Sequence, residues 1–167
     1  MVKVLITGGA GYLGSTLAEE LLKKGYEVTA LDNLMYKQTS LLHLCSNKNF
    51  NFIQQDVTDL DLLKKTIMDY DVIIPLAAIV GAPACDADKD LATRVNFEQI
   101  QTIVDDLYEN QKLIMPNTNS QYGSSTEIIT EDSPFNPLSH YAKTKCDAED
   151  VILESGNGIC LRLATVF

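Results

Sequence analysis

An α/β fold with a doubly wound parallel sheet is predicted by two features of the sequence. Short apolar segments alternate with segments of helical periodicity along the 167 residues, which is typical of βαβ units. A glycine-rich turn also separates the first strand from the first helix. Because right-handed crossovers leave few ways to connect such units, we expect the strand order 3-2-1-4-5-6, with helices on both faces of the sheet.

The apolar segments predict six strands, at residues 2–7, 27–31, 50–54, 71–76, 112–115 and 158–163. Helical spacing predicts helices over residues 13–24, 41–45, 62–68, 91–109 and 139–154, of which the one over 41–45 is short. Thr58 opens a predicted capping box before the helix over 62–68. The remaining long segments, 81–90 and 117–138, are predicted to be loops.

Composition is that of an ordinary globular protein, and the length predicts one domain over residues 1–167. No apolar run approaches the ~20 residues of a membrane span, and the N-terminal strand leaves no room for a signal peptide. A net charge of −10 disfavours binding to nucleic acid. The four cysteines lack a metal-binding spacing, which favours reduced thiols, no bound metal and a cytoplasmic location.

The glycine turn has the spacing of a dinucleotide-binding loop. Gly8, Gly11 and Gly14 follow a strand and open a helix, which is the context that such a loop requires. Gly8 permits a tight turn, Gly11 lets the backbone approach a pyrophosphate, and Gly14 lets the helix pack closely on the strand. Free N–H groups at the helix N-terminus then favour an anion. A plain strand-to-helix turn is the alternative.

Asp32, at the end of the second predicted strand, favours NAD over NADP. A carboxylate at this position can accept hydrogen bonds from the adenosine ribose hydroxyls, and it would repel the 2′-phosphate of NADP. Lys37 is the nearest cation downstream, several residues further on. The alternative is that Asp32 simply opens a turn.

A tyrosine and a lysine four residues apart indicate a site for proton transfer. Tyr141 and Lys145 share one face of the predicted helix. A phenol with a pKa of about 10 is a poor base at neutral pH, but a nearby ammonium lowers that pKa. The pair could then remove a proton from a substrate hydroxyl, held by Thr118 or Ser120, or return one. Taken alone, the spacing is also common on protein surfaces.

Together these residues resemble the extended short-chain dehydrogenase/reductase family, and within it the branch of NAD-dependent nucleotide-sugar epimerases and dehydratases, which have a Rossmann-type fold. The matching segments run through the whole chain in the family's order: 7–14, 32–33, 56–57, 76–78, 94–96, 122–123, 141–145 and 161–163. Residues 31–35, 77–83, 116–120 and 162–167 are similar to a narrower group that includes bacterial GDP-heptose C4 dehydrogenases.

The resemblance implies a role for each matched position. From the pyrophosphate through the ribose to the adenine, the residues implied for the cofactor are Gly8, Gly11, Tyr12, Leu13, Gly14, Asp32, Asn33, Asp56 and Val57. Leu76, Ala77 and Ala78 would line the cofactor, and Asn96 would be a structural asparagine beside it. Asp56 could instead begin a turn, and Asn96 could instead be a surface residue of its helix.

The resemblance also implies the reacting groups. Thr118 would supply the catalytic hydroxyl, Tyr141 would be the acid/base, and Lys145 would bind the nicotinamide ribose and tune Tyr141. Two positions depart from the family pattern. Gln121 replaces a small or β-branched residue, and it could hinder activity or merely reorient its loop. Residues 119–120 are Asn-Ser where dehydratases carry Asp-Glu, which disfavours elimination of water.

We therefore expect the NAD-binding part of a nucleotide-sugar epimerase or dehydrogenase that oxidises a sugar hydroxyl carbon, C4 being favoured. The family's substrate-binding segments are expected beyond residue 167, so this chain alone should bind NAD weakly or partially and turn over slowly or not at all. A non-catalytic NAD-sensing domain, and a dehydratase or reductase of the same family, are the alternatives. The resemblance implies a homodimer formed through the helices at 91–109 and 139–154. Arg162, a charge within an apolar strand, is expected to reach the surface or to pair with an acid.

Overall fold

The structure is a computed structural model that describes residues 1–126 and 128–164. Its strands are β1 (Lys3–Thr7), β2 (Glu27–Asp32), β3 (Phe50–Gln54), β4 (Val72–Pro75), β5 (Lys112–Thr118) and β6 (Gly158–Leu163). They form one parallel sheet in the order β3-β2-β1-β4-β5-β6. The predicted fold class and strand order are confirmed.

The helices follow the strands and cover the sheet. They are α1 (Tyr12–Lys23), α2 (Leu60–Ile67), α3 (Ala82–Ala87), α4 (Lys89–Thr93), α5 (Gln99–Asp105) and α6 (His140–Ser155). A π-helical turn over Arg94–Glu98 joins α4 to α5. Single 3₁₀ turns lie at Leu42–Leu44 and Asn119–Tyr122. Ser139 caps α6 by accepting a hydrogen bond from the Ala142 N–H.

Several predicted boundaries were wrong for identifiable reasons. The cap of α2 is Asp59, which accepts from the Leu62 N–H, and not Thr58, whose N–H and hydroxyl both donate to Asp56. Residues 81–90 are not a loop, because Pro83 in the first turn of α3 favours a helix there. The strand predicted at 112–115 continues to Thr118, since Pro116 in β5 did not end it.

The core fills both faces of the sheet. Leu5, Ile73 and Leu113 belong to a buried cluster that includes residues of α5 and α6, whereas Val4 and Ile6 belong to a second cluster with α1. Successive residues of β1 and β2 are buried, and burial does not alternate along either strand, because both faces of the sheet are covered there. In the part of the chain that the structure describes, no helix is long and apolar enough to cross a membrane.

Candidate functional site

A cleft of about 1000 Å³ opens at the carboxyl ends of the parallel strands, beside the point where the strand order reverses at β1. This is where doubly wound sheets bind their ligands. Of the residues predicted for the site, all except Asn96 line this cleft: Gly8, Gly11, Tyr12, Leu13, Gly14, Asp32, Asn33, Asp56, Val57, Leu76, Ala77, Ala78, Thr118, Tyr141 and Lys145. The fold therefore brings together residues that are more than 130 positions apart, although their individual roles stay predictions.

The glycine turn is shaped by close backbone approaches. Gly8 has a φ of +67°, and a Cβ there would lie 2.5 Å from the Ala77 nitrogen. A Cβ at Gly14 would lie 2.5 Å from the Gly8 carbonyl oxygen, so glycine at this position lets α1 approach the residues that directly follow β1. Gly11 caps α1, whose first turn (residues 12–15) carries no acidic side chain in the sequence. The result is a shallow cradle with a positive helix end facing the cleft.

Asp32 stabilises the turn from the end of β2. It is 7% exposed, its Oδ2 accepts from the Ala10 N–H at 3.0 Å, and its Oδ1 accepts from the Leu34 N–H at 2.8 Å. Each carboxylate oxygen has further acceptor capacity. Asp32 therefore organises the local backbone, and it can still accept hydrogen bonds from a ligand in the cleft.

Asn33 and Asp56 link the loops that follow β2 and β3. The Asn33 amide donates to Asp56 Oδ2 at 2.9 Å, and the Thr58 N–H and hydroxyl donate to Asp56 Oδ1 at 2.9 and 2.7 Å. Burial alone raises the pKa of Asp56, but the hydrogen bonds from Asn33 and Thr58 outweigh it and leave the pKa below its usual value. Asp56 thus begins a turn, as the alternative had it, and also lines the cleft.

Thr118, Tyr141 and Lys145 form the opposite end of the cleft. Thr118 ends β5, and Tyr141 and Lys145 lie on successive turns at the start of α6. Thr118 and Tyr141 line the same end of the cleft, and the Thr118 hydroxyl donates to Ser120 Oγ at 3.1 Å. A phenol, an aliphatic hydroxyl and an amine therefore converge where the site was predicted to transfer a proton.

Burial has the largest effect on the pKa values of Tyr141 and Lys145. It raises the pKa of Tyr141, and the influence of the Thr118 hydroxyl acts in the opposite direction. Burial also lowers the pKa of Lys145 to about 8. We predicted that Lys145 would hold the pKa of Tyr141 below its usual value. In this structure desolvation of the phenolate is the largest effect and acts in the opposite direction, and the effect of Lys145 on Tyr141 stays a prediction.

The sequence matches the model of the NAD dependent epimerase/dehydratase family over residues 4–167. The chain belongs to this family. It is 35% identical, over 131 residues, to a UDP-N-acetyl-α-D-glucosaminuronate decarboxylase of Bacillus cytotoxicus, covering 78% of this chain and 40% of that protein. It is 31% identical to an uncharacterized UDP-glucose epimerase of Bacillus subtilis, covering 99% of this chain and 57% of that protein.

Solved structures of this family superpose on the fold. A UDP-glucuronic acid 4-epimerase of Bacillus cereus in complex with NAD has a TM-score of 0.88 at 30% identity, and the match covers 99% of this chain and 58% of that one. A UDP-Glc/GlcNAc 4-epimerase of Campylobacter jejuni has a TM-score of 0.88 at 26% identity, covering 97% and 53% of the two chains. The chain thus spans about half the length of these relatives of the epimerase/dehydratase family.

Gln121, one of the two departures from the family pattern, points away from the cleft. Its side chain is fully buried, and its amide donates to the Lys145 carbonyl oxygen at 3.2 Å. It therefore packs against α6 and leaves the neighbourhood of Thr118 open. Of the two alternatives stated for Gln121, hindrance within the cleft is not supported, because Gln121 is not among the described residues that line the cleft.

Arg162 pairs with an acid, as one of the two expectations had it. Its Nε and Nη2 donate to Glu149 Oε1 at 2.7 and 2.6 Å, and its Nη1 donates to the Tyr122 hydroxyl at 2.6 Å. The guanidinium lies 4.7 Å from the ring centre of Phe135. Because Glu149 is 1% exposed, this is a buried charge pair that joins β6 to α6 and to the loop before it. The residues at 165–167, which belong to the segment similar to GDP-heptose dehydrogenases, lie outside the described residues.

Asn96 lies outside the cleft and is structural. It is 1% exposed and sits in the π-helical turn, so it is not a surface residue. Its Oδ1 accepts from the Ile79 N–H at 2.9 Å, and its amide donates to the Ile79 carbonyl at 3.0 Å and to Thr144 Oγ1 at 3.3 Å. Asn96 thereby fixes the loop after β4, which lines the cleft, against α6.

Sequence reasoning missed several lining residues, among them Met35, Tyr36, Gln55, Val80 and Asn117. Gln55 and Asn117 stand at the carboxyl ends of β3 and β5, and assigning every such strand end to one edge would have found them. The others lie on loops and left no periodic signal. Among residues 1–126 and 128–164, no cluster of three or more His, Cys, Asp and Glu side chains is placed to hold a metal.

Proposed function

We propose that this chain binds NAD and forms the catalytic half of an enzyme that oxidises a hydroxyl carbon of a nucleotide sugar. The observation that carries the proposal is the cleft that joins the glycine turn, Asp32 and the group of Thr118, Tyr141 and Lys145. A domain that only sensed NAD would not need the last three. The solved relatives in complex with NAD support the cofactor assignment.

The residues present fit NAD. The glycine cradle would hold the pyrophosphate, because backbone N–H groups and the N-terminus of α1 favour an anion there. Asp32 would accept hydrogen bonds from the adenosine ribose, and Asp56 and Val57 would contact the adenine. A 2′-phosphate would bring a second negative charge towards a carboxylate that is 7% exposed, so NAD is favoured over NADP.

NAD supplies a hydride acceptor when it is bound. Thr118 would hold the sugar hydroxyl, Tyr141 would take its proton, and Lys145 would hold the nicotinamide ribose. A Lys145 pKa of about 8 leaves most of its ammonium charged at neutral pH, and that charge favours the phenolate of Tyr141. Once Tyr141 has taken the proton, burial favours the neutral phenol, because it raises the pKa of Tyr141, and the phenol could then return the proton to the substrate.

The substrate proposed is a nucleotide sugar, and C4 is the favoured carbon. UDP-sugar epimerases and a UDP-sugar decarboxylase among the relatives support this class. The Asn119–Ser120 pair disfavours elimination of water, because neither side chain is an acid or a base at neutral pH. Oxidation with or without reduction from the other face is therefore the proposed chemistry.

We also propose that the protein is a cytoplasmic homodimer. Helices α5 and α6, which pack together, would form the contact between the subunits. A monomer mass in sedimentation equilibrium would contradict the dimer.

Calorimetric titration tests the cofactor assignment directly. NAD is expected to bind at least tenfold more tightly than NADP, since discrimination by one buried carboxylate corresponds to about 1.4 kcal/mol or more. Equal affinity for the two would contradict the role of Asp32.

The variant Tyr141→Phe tests the catalytic role of Tyr141. It is expected to bind NAD like the wild type and to lose the slow turnover of a UDP-sugar, which is followed as NADH absorbance or as epimer formation. An active Tyr141→Phe chain would remove Tyr141 from the mechanism.

A further inference from the structure

Two buried amides meet at one backbone atom, the carbonyl oxygen of Lys145. The Asn117 amide nitrogen and the Gln121 amide nitrogen each donate to it at 3.2 Å. Asn117 is 5% exposed and Gln121 is 0% exposed. Asn117 lies in β5 directly before Thr118, and Gln121 lies in the 3₁₀ turn directly after it. We call these two side chains the amide clamp.

The clamp holds more of α6 than one carbonyl group. The Asn117 amide also donates to Glu149 Oε2 at 2.6 Å, while the other oxygen of Glu149 is held by Arg162. The segment that carries Thr118 is therefore fastened to two positions of α6, Lys145 and Glu149.

Both amides leave a buried acceptor without a donor. Asn117 Oδ1 and Gln121 Oε1 have no hydrogen-bond partner among the described residues. A buried carbonyl oxygen without a donor destabilises the folded state, and an apolar side chain of the same shape would not carry that penalty. The clamp is thus a poor way to stabilise the fold, although it is a good way to fix one helix relative to one strand end.

We propose that Asn117 and Gln121 are positioning residues that set where α6 carries Tyr141 and Lys145 relative to Thr118. This inference rests on the proposed function, because the groups that it aligns are those proposed to bind NAD and transfer the proton. Alignment matters here because Thr118 on β5 and Tyr141 on α6 line one cleft from two different elements, and because Lys145 is almost completely enclosed. Reacting groups displaced by about 1 Å lose much of their effect.

Gln121→Met tests the clamp, because methionine keeps the length of the side chain and removes both the donor and the unpaired oxygen. The matched control is Gln111→Met, because Gln111 directly precedes β5, at the amino ends of the strands and away from the cleft. Gln111 is also buried, and its amide donates to two backbone carbonyl oxygens, of Ile67 and Tyr70, both at 2.7 Å. Unlike Gln121, its oxygen is satisfied, since it accepts from the Tyr108 N–H at 2.9 Å.

Three measurements are made on each variant: the urea midpoint, the NAD affinity by calorimetry, and the pKa of Lys145 from its ¹³Cε resonance, assigned with Lys145→Arg. For Gln121→Met we expect an unchanged or higher urea midpoint, an affinity for NAD about threefold to tenfold weaker, and a Lys145 pKa that moves from about 8 towards its usual value. For Gln111→Met we expect a lower midpoint and no change in the other two measurements.

The outcomes separate the clamp from the proposed function. Loss of folding in Gln121→Met, or an unchanged NAD affinity and Lys145 pKa in that variant, would overturn the clamp. A wild-type chain that does not bind NAD would overturn the proposed function instead. The Lys145 resonance would then still report whether Gln121 positions α6, since it needs no cofactor.

Discussion

The glycine end of the cleft (residues 8–14 and Asp32) is shaped by backbone atoms, whereas the tyrosine end (Thr118, Tyr141 and Lys145) is shaped by buried polar side chains. At the glycine end, the absence of a Cβ at Gly8 and Gly14 creates the space. At the tyrosine end, the position of α6 depends on hydrogen bonds that Asn117, Gln121 and Arg162 donate to backbone and side-chain atoms of α6.

The two ends should therefore tolerate substitution differently. At the glycine end, close backbone contacts at Gly8 and Gly14 leave no room for added atoms. At the tyrosine end, a substitution can leave the reacting groups unchanged and still disturb the position of α6, because the residues that hold α6 lie on β5, β6 and the loop before α6. We therefore expect substitutions at the glycine end to weaken cofactor binding and substitutions at the tyrosine end to disorder α6.

The largest effect is expected from Arg162→Met. It leaves the Glu149 carboxylate, which is 1% exposed, without its charge partner, and such a change destabilises by about 3–5 kcal/mol. Chemical denaturation measures the loss. Amide hydrogen exchange should rise first in α6 and β6, while the segment 8–14 stays protected. A loss below about 1 kcal/mol would mean that the pair behaves like a surface ion pair.

The next largest effect is expected from Gly8→Ala. The left-handed φ of +67° and the approach of 2.5 Å to the Ala77 nitrogen both oppose a Cβ, so we expect a loss of about 2–4 kcal/mol in chemical denaturation and no NAD binding measurable by calorimetry.

Gly25→Ala is the control for Gly8→Ala, because Gly25 has a φ of +87° and no other atom lies within 4 Å of the position that a Cβ would take there. It isolates the effect of backbone conformation, about 1 kcal/mol, with NAD binding intact. Equal losses of unfolding free energy in the two variants would show that crowding around Gly8 contributes nothing to the effect of Gly8→Ala.

Lys145→Met should stabilise the tyrosine end. Burial lowers the pKa of Lys145 to about 8, below the value of about 10.4 of an exposed lysine, so the unfolded chain binds the proton more tightly than the folded one. The penalty is fully present below pH 8 and disappears as the pH rises through the unfolded value. We expect a gain on the order of 2–3 kcal/mol at pH 7 that shrinks by pH 10, measured by urea denaturation at both pH values. A gain independent of pH would contradict the assignment to this lysine.

The smallest effect is expected from Asp32→Asn. An amide can still accept from one of the two N–H groups now held by the carboxylate, so the folded state should lose about 1 kcal/mol. Without the negative charge, the preference for NAD over NADP should fall to within about threefold in a calorimetric titration. An undiminished preference would assign the discrimination to another residue.

The glycine end was predictable from sequence because its parts are close along the chain and its chemistry depends on residue type alone. The order of the sheet was predictable because strands and helices alternate and right-handed crossovers leave few topologies, and Tyr141 and Lys145 were found from their spacing on one helix and from the family resemblance. The amide clamp was not, because nothing in the sequence tells whether Asn117 and Gln121 face the cleft or α6. The raised pKa of Tyr141 was missed since the spacing to Lys145 reveals proximity and does not reveal burial.

The π-helical turn at Arg94–Glu98 sets the rotation of α5, which follows it, about its own axis. One residue in a helix corresponds to a rotation of about 100°, so the extra residue of the wider turn decides which side of α5 meets the sheet. With the turn in place, Gln99, Ile100 and Ile103 face inwards. Deleting one residue from this turn would rotate those side chains towards solvent and would separate Asn96 from Ile79. The loop after β4, which lines the cleft, would then lose its attachment although none of its own residues had changed.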